Sequence, residues 1–297
     1  MSTTLNRSVL IGLIGHGVGP SLTPPMHEME GARHGLRYLY RTIEFGGHHD
    51  PRERLLDLIR SARTFGFDGL NLTYPVKQTA VSLLDEISST AHMVGAVNTV
   101  RWQDGRLIGH NTDVSGFRAS LKDALGSGPL GRIVLIGAGG AGSAVSHAVA
   151  MQGVEHLTIV DADLDRAQDL ADNISAVHHQ AVDASSVDAL PGLLSLAQGL
   201  INATPIGMAH HPGSAVDANL LRPPMWVCDV VYRPVETELL LTARQRGCRT
   251  ISGLGMAMHQ AADAFELFTG ESADRSAMLT HLQHLVAAEN NSEPVHQ

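Results

Sequence analysis

The sequence predicts an α/β protein of two domains, a mixed α/β domain followed by a doubly wound, mostly parallel sheet. Three observations predict it. The chain has 297 residues, long for one hydrophobic core and ample for two. Short apolar runs alternate with segments of helical periodicity along most of it, the pattern of strands joined by crossover helices. One of those runs, residues 133–136, leads straight into Gly137-Ala138-Gly139-Gly140-Ala141-Gly142 and then a helix-forming stretch, which places a glycine-rich turn between a strand and a helix.

Residues 8–14 form an apolar run closed by Gly15, a helical segment follows at 24–36, and 38–45 alternates as a strand. Leu55, Leu58 and Ile59 recur at helical spacing within 51–64, residues 67–72 read as a strand, and Pro75 is expected to open a short helix. Residues 97–102 and 107–110 flank Gln103-Asp104-Gly105-Arg106, a hairpin signal. Val114, Phe117, Leu121 and Leu125 mark one face of a helix leading into the second domain. Beyond Gly126-Ser127-Gly128-Pro129, strand-like runs stand at 133–136, 157–160, 199–201 and 226–231, with a weaker one at 176–182. Two helical segments, broken near Gly270, fill 256–285, and 288–297 reads as a frayed tail. The expected division is a first domain at 1–114, completed by returning helices at 256–290, and a second at 115–255. In such a sheet ligands sit beyond the carboxyl ends of the strands.

Composition narrows the function classes. Hydrophobic residues make up 43% and charged residues 17%, a globular rather than a disordered balance. A net charge of −9 with scattered Lys and Arg gives no basic stripe for nucleic acid or an anionic membrane. The first apolar run is too short to span a bilayer and lacks a cleavage pattern, so a cytoplasmic protein is expected. Two cysteines, Cys228 and Cys248, suit a reducing compartment and read as core thiols. The 17 histidines include the adjacent pairs 48–49, 178–179 and 210–211, without the spacing that puts two on one helix face, and no metal site is expected.

The glycine turn has a physical rationale. Gly137 allows a tight turn, a side chain at Gly139 would block a pyrophosphate, and the helix expected at 143–151, after Gly140-Ala141-Gly142, offers free amides to that anion at its N-terminus. The sequence therefore predicts a Rossmann dinucleotide-binding domain; a glycine turn serving packing alone is the alternative. Asp161 closes the next strand, about twenty residues on, where a carboxylate accepts hydrogen bonds from the adenosine ribose hydroxyls of NAD. A 2′-phosphate about 4 Å away would be repelled by about 4 kcal/mol at an effective dielectric of about 20. Asp161 could instead merely cap a helix, as Asp163 or Asp165 could, and Arg166 stands near enough to accommodate a 2′-phosphate.

In the first domain Asn71 and Thr73 alternate at a strand end, Lys77 follows in the first turn of the helix expected at Pro75, and Asp113 stands at the mouth of another helix. On local signals alone Lys77 is a surface residue, and Asp113 reads equally as an N-cap or as a catalytic carboxylate. The motifs taken together, S-x-T-P-x-x-H from Ser21 to His27, N-L-T-Y-P-V-K from Asn71, A-V-N-T from Ala96, G-x-N-T-D from Gly109, the glycine turn, N-A-T-P-I-G-M from Asn202 and G-L-G-M-x-x-x-Q from Gly253, resemble the shikimate/quinate dehydrogenases over about residues 10 to 270.

That resemblance implies an oxidoreductase transferring hydride from a ring hydroxyl of a small cyclic polyhydroxy acid to a nicotinamide, with the active site in the cleft. It implies that Ser21, Thr23 and Tyr232 bind the substrate carboxylate, that Thr73, Lys77, Asn98, Asp113 and Gln260 contact the ring hydroxyls, and that Lys77 and Asp113 are the catalytic pair. It adds Thr204, Val230 and Gly253, with Gly255, on the nicotinamide side. Biosynthetic shikimate members typically carry Ser where Thr23 stands and a basic residue where this chain has Asp161-Ala162-Asp163. Both departures imply the NAD-linked, catabolic quinate/shikimate branch. The alternatives are an NADP-dependent biosynthetic shikimate dehydrogenase, a non-catalytic relative that senses cyclic acids, and a Rossmann protein with an unrelated substrate. Oligomeric state is left open, a homodimer being one compatible assembly.

Overall fold

The computed structural model describes residues 7–47 and 50–292; the pair His48-His49 and the end of the tail, 293–297, lie outside them. Two compact units are present, Met1–Thr112 with Met258–Leu285, and Asp113–Ala257 with Val286–Gln297. Among the described residues no helix is long and apolar enough to cross a membrane.

The first unit begins β1 (Ser8–Gly15), α1 (Thr23–Arg33), β2 (Arg37–Glu44), α2 (Pro51–Thr64), β3 (Gly69–Leu72), α3 (Lys77–Val81), β4 (Glu86–Ile87), α4 (Ser89–Val94), β5 (Thr99–Gln103) and β6 (Arg106–His110). Its strands form one sheet in the order β2-β1-β3-β5-β6-β4, with β1 parallel to β2 and β3, and β5 antiparallel to β3 and β6. Both faces are covered. Val9, Ile11 and Leu13 pack with Tyr38, Tyr40, Phe265 and Phe268, while Ile14, Leu70, Leu72 and Val100 join Leu55 and Ile59 of α2 in a second cluster, the two-residue period of a strand buried on both sides.

Local chemistry sets most boundaries. Asp50 caps α2 by accepting from the Arg52 and Glu53 amides. The hairpin pairs Gln103 with Arg106 across Asp104 at φ 51° and Gly105 at φ 80°, the two positive dihedrals a tight two-residue hairpin requires. Helix α1 stops at Arg33, three residues short of the expected end, because Gly35 at φ 68° turns the chain. Pro75 does not open a helix. The Val76 amide closes a tight turn onto the Thr73 carbonyl, Tyr74-Pro75 is cis, and α3 starts at Lys77. Periodicity gave no warning of β4 or α4, which are two and six residues long, too short to show a period.

The second unit contains α5 (Asp113–Leu125), β7 (Arg132–Ile136), α6 (Gly140–Gln152), β8 (His156–Val160), α7 (Leu164–His178), β9 (Val182–Ser185), α8 (Leu190–Leu194), β10 (Gly199–Asn202), β11 (Trp226–Asp229), α9 (Glu238–Gln245) and β12 (Arg249–Ile251). Its sheet is parallel throughout, in the order β12-β11-β10-β7-β8-β9. The order reverses between β7 and β10, the switch point of a doubly wound sheet. The strand expected at 176–182 is instead the last three residues of α7, a connection, and the first residue of the edge strand: Ala167, Leu170, Ala171 and Ile174 are the buried face of the helix, it runs to His178, and the edge strand starts at Val182. α10 (Leu254–Thr269) starts in this unit and passes into the first at Met258, and α11 (Arg275–Ser292) returns at Val286. Ala288–Ser292 are thus helical rather than frayed, and Glu289 pairs with Arg233 at 2.6 Å.

His27 of α1 is fully buried, its Nδ1 3.0 Å from the Tyr38 hydroxyl and its ring among Tyr40, Phe265 and Phe268. Burial lowers its pKa from 6.5 to about 3. The unfolded chain takes up a proton at that imidazole through pH 6.5, whereas the folded chain refuses it down to about 3, so this stability is complete above the unfolded value and is lost as pH falls through the interval. The unfolding midpoint should therefore drop on acidification below pH 6.5, and His27→Phe should flatten the drop in a thermal melt series.

Candidate active site

In the second unit the groups expected to meet a dinucleotide all follow carboxyl ends of strands. Gly137, at φ 103°, leaves β7 beside Ala203 and Thr204, so the loops after the two switch-point strands touch. A Cβ at Gly142 would stand 1.9 Å from the Gly137 carbonyl oxygen, while one at Gly139 or Gly140 would meet nothing within 4 Å. Gly142 thus seats α6 against its own strand, and Gly139 and Gly140 leave open space before the helix N-terminus. That space and the free amides suit a pyrophosphate.

Asp161, 6% exposed, stands one residue past β8. Its Oδ2 accepts from the Ala138 amide at 2.7 Å, and its Oδ1 accepts from the Asp163 amide at 3.0 Å and the Arg166 guanidinium at 2.6 Å. Burial would push this carboxyl up, but Arg166 and the two amides outweigh it and hold the pKa below the usual range. Asp161 is therefore an ionised group that ties the glycine turn to the neighbouring strand, and the cap of α7 is Asp163, which accepts from the Arg166 amide. Arg166 is committed to this ion pair with its side chain half exposed.

Thr204 and Val230 follow β10 and β11, and both are partly buried. A Cβ at Gly253 would come within 2.3 Å of the Val230 carbonyl oxygen, and one at Gly255 within 2.3 Å of the Ser120 hydroxyl. Close packing within the protein therefore explains both glycines, a requirement that comes before any nicotinamide contact. Tyr232 is partly buried, and burial raises its pKa; at neutral pH its phenol stays protonated and able to donate. Asp113 is the first residue of α5 and is buried, a position where the helix dipole favours a carboxylate.

In the first unit Ser21, Thr23, Thr73, Lys77 and Asn98 gather at the carboxyl end of β1 and β3. Thr23 begins α1, and its amide donates to the Ser21 hydroxyl at 3.2 Å, which sets two hydroxyls at a helix N-terminus suited to an anion. Thr73 presses its methyl toward Gly15, where a Cβ would come within 2.1 Å. The Lys77 carbonyl accepts from the Val97 amide at 2.9 Å, bringing α3 beside the start of β5. Asn98 is buried, donates to the Thr112 hydroxyl at 2.9 Å and accepts from the Thr112 amide at 2.9 Å. Asn71 is buried, its side-chain amide accepting from Tyr40 Oη and donating to the Asn98 carbonyl and the Thr99 hydroxyl, so it braces the sheet end. Gln260 lies on α10, partly buried.

Sequence reasoning missed two supports. Glu44 accepts from the Gly17 amide at 2.7 Å and the Val18 amide at 3.3 Å, holding the turn that leads to Ser21. Asp229, fully buried, joins Asn202, Val231 and Thr237; an acid inside the apolar run 226–231 was its only signal. Among the described residues no group of three or more His, Cys, Asp or Glu is arranged to hold a metal ion. Cys228 and Cys248 are free and buried.

Residues 13–100 match the family model of the shikimate dehydrogenase substrate binding domain, and 253–283 that of the shikimate 5′-dehydrogenase C-terminal domain. A shikimate dehydrogenase (NADP(+)) of Pseudarthrobacter chlorophenolicus is 50% identical over 284 residues, 95% of this chain and 97% of its own. The chain belongs to the shikimate/quinate dehydrogenase family. A second relative, a quinate/shikimate dehydrogenase (NAD(+)) of Corynebacterium efficiens, is 47% identical over 273 residues, 91% of this chain and 96% of its own. The solved structure of quinate dehydrogenase from Corynebacterium glutamicum in complex with NAD superposes with a TM-score of 0.88 at 45% identity, covering 94% of this chain and all of that one. Residues 133–210, which hold the glycine turn, match the saccharopine dehydrogenase NADP binding domain. This member of the family is thus an oxidoreductase with a nicotinamide dinucleotide cofactor.

The glycine turn separates folding from binding. Gly139 has extended backbone, φ −80° and ψ −168°, so Gly139→Ala should keep the wild-type unfolding midpoint and lose dinucleotide affinity by a factor of about ten or more, since the methyl fills the space left for phosphate. Gly142→Ala should lose both, because its methyl collides with backbone. Thermal melts and cofactor titrations on the two variants check this.

Proposed function

We propose that this dehydrogenase oxidises a ring hydroxyl of quinate or shikimate to the 3-dehydro acid with NAD, in the cytoplasm. The observation that carries the cofactor reading is the ionised Asp161 at the end of β8. A carboxylate there accepts from ribose hydroxyls and repels a 2′-phosphate. The NAD-linked relatives at 47% identity support the same reading. Thr23, where biosynthetic members typically carry Ser, supports quinate as a substrate, because the added methyl changes packing around the acid's carboxylate.

A second reading is an NADP-linked shikimate dehydrogenase, favoured by the relatives at 50% identity and by Arg166, whose half-exposed side chain has guanidinium donors beyond the one on Asp161 with which to meet a 2′-phosphate.

In the proposed reaction the nicotinamide, when bound, accepts the hydride. Ser21 and Thr23, with the protonated Tyr232 phenol, hold the carboxylate, and Thr73, Asn98 and Gln260 orient the ring so that one hydroxyl reacts. Lys77 and Asp113 are the proposed catalytic pair that takes the hydroxyl proton and steadies the developing alkoxide. Gly137, Gly139, Gly140, Ala141 and Gly142 take the pyrophosphate, with Thr204, Val230 and Gly253 on the nicotinamide side.

Initial rates with each acid against each cofactor, followed by nicotinamide absorbance, test the proposal. Turnover of both acids with NAD preferred by about tenfold or more is expected; shikimate turnover alone with NADP preferred would establish the second reading. Lys77→Ala should lower kcat by about a hundredfold or more without moving the unfolding midpoint, and unchanged turnover would remove Lys77 from the mechanism.

A further inference from the structure

Strands β10 and β11 are neighbours, and their last residues, Asn202 and Asp229, are register partners. Both are fully buried. Asn202 Nδ2 donates to Asp229 Oδ1 at 3.0 Å and to the Ile206 carbonyl at 3.0 Å, while its Oδ1 accepts from the Thr204 amide at 3.1 Å and the Thr204 hydroxyl at 2.6 Å. Asp229 Oδ1 also accepts from the Val231 amide at 3.0 Å, and Oδ2 accepts from the Thr237 hydroxyl at 2.7 Å, which in turn caps α9 through the Leu240 amide. One bridge therefore ties together the loop after β10, the loop after β11 and the start of α9.

The bridge favours a carboxylate. Three donors converge on Asp229, two on one oxygen and one on the other; an asparagine has one acceptor oxygen, and the Thr237 hydroxyl could accept from its N–H₂ only by giving up the bond it donates. Burying a carboxylate is unfavourable unless its hydrogen bonds are made, and burial does raise the Asp229 pKa despite Thr237, Val231 and Asn202. Packing alone does not require a polar group here. The orientation of the two loops does.

We infer that Asp229 is a positioning residue for the nicotinamide half of the cofactor, holding Thr204 through Asn202 and Val230 through the Val231 amide. This rests on the proposed placement of Thr204 and Val230 beside the nicotinamide. The adenosine half would be held elsewhere, at Asp161, whose bonds to Ala138, Asp163 and Arg166 share no residue with this bridge.

Asp229→Asn, nearly the same shape, is the test. Wild type and variant are titrated with NADH and with ADP-ribose, which lacks the nicotinamide, and kcat is measured with whichever acid the wild type turns over. The expected result is ADP-ribose affinity within about twofold of wild type, a weaker NADH complex, and kcat lower by about tenfold or more. Equal weakening of both ligands would mean a merely structural role and overturn the inference, as would an unchanged affinity ratio with unchanged kcat. If the wild type turns over neither acid, the activity reading fails while the affinity ratio still decides the role of Asp229. Should Asp229→Asn not fold, Asn202→Ser breaks the bridge from its other end and gives the same comparison.

Discussion

The second unit depends on a contact that leaves no room for a side chain: Gly142 of α6 against the carbonyl of Gly137, where even a methyl carbon would stand 1.9 Å from oxygen. This approach lays the first turn of α6 on the end of its own strand, so the unpaired amides of the helix point into the space in front of Gly139 and Gly140. Moving the helix back by the width of a methyl group would separate those amides from the strand ends that carry Thr204 and Asp161. The Asp161 carboxylate then fixes the turn from the next strand by accepting from the Ala138 amide.

Both units orient their strand ends by the same physical means. Apolar packing is strong but poorly directional, whereas a buried polar group must find partners in particular directions or cost free energy. In the first unit Tyr40, Asn71, Asn98, Thr99 and Thr112 form such a network; in the second, Asn202, Thr204, Asp229 and Thr237 do. Each includes a residue proposed to touch ligand, Asn98 in the first and Thr204 in the second, and ties it to the strand ends. The networks convert a stable core into a fixed set of directions, which hydrogen-bonded recognition of ring hydroxyls and a nicotinamide requires.

Much of this was legible in the chain. The 51–64 helix is visible because Leu55, Leu58 and Ile59 recur at helical spacing, and the hairpin at Asp104-Gly105 because few residues tolerate two successive positive φ values. The error at 176–182 arose where the end of α7 carries Ala176 and Val177 beside an edge strand only four residues long, so local composition resembled a strand while the buried face of the helix decided otherwise. Pro75 was misplaced for a similar reason: proline suits a helix start, but the turn from Thr73 to Val76 uses it one step earlier.

The sequence by itself determined the two-domain α/β plan, the glycine turn and its helix, and the set of short motifs that mark the family, because each is a local pattern of periodicity, dihedral preference or spacing. Only the tertiary structure decided what the single residues do. It showed Asp161 bonding the glycine turn where Asp163 caps the helix, Asn71 spent on bracing the sheet, and Gly253 and Gly255 demanded by Val230 and Ser120. It also brought together Asn202 and Asp229, 27 positions apart in the chain. Such roles depend on which atoms meet across strands, and no local pattern encodes that.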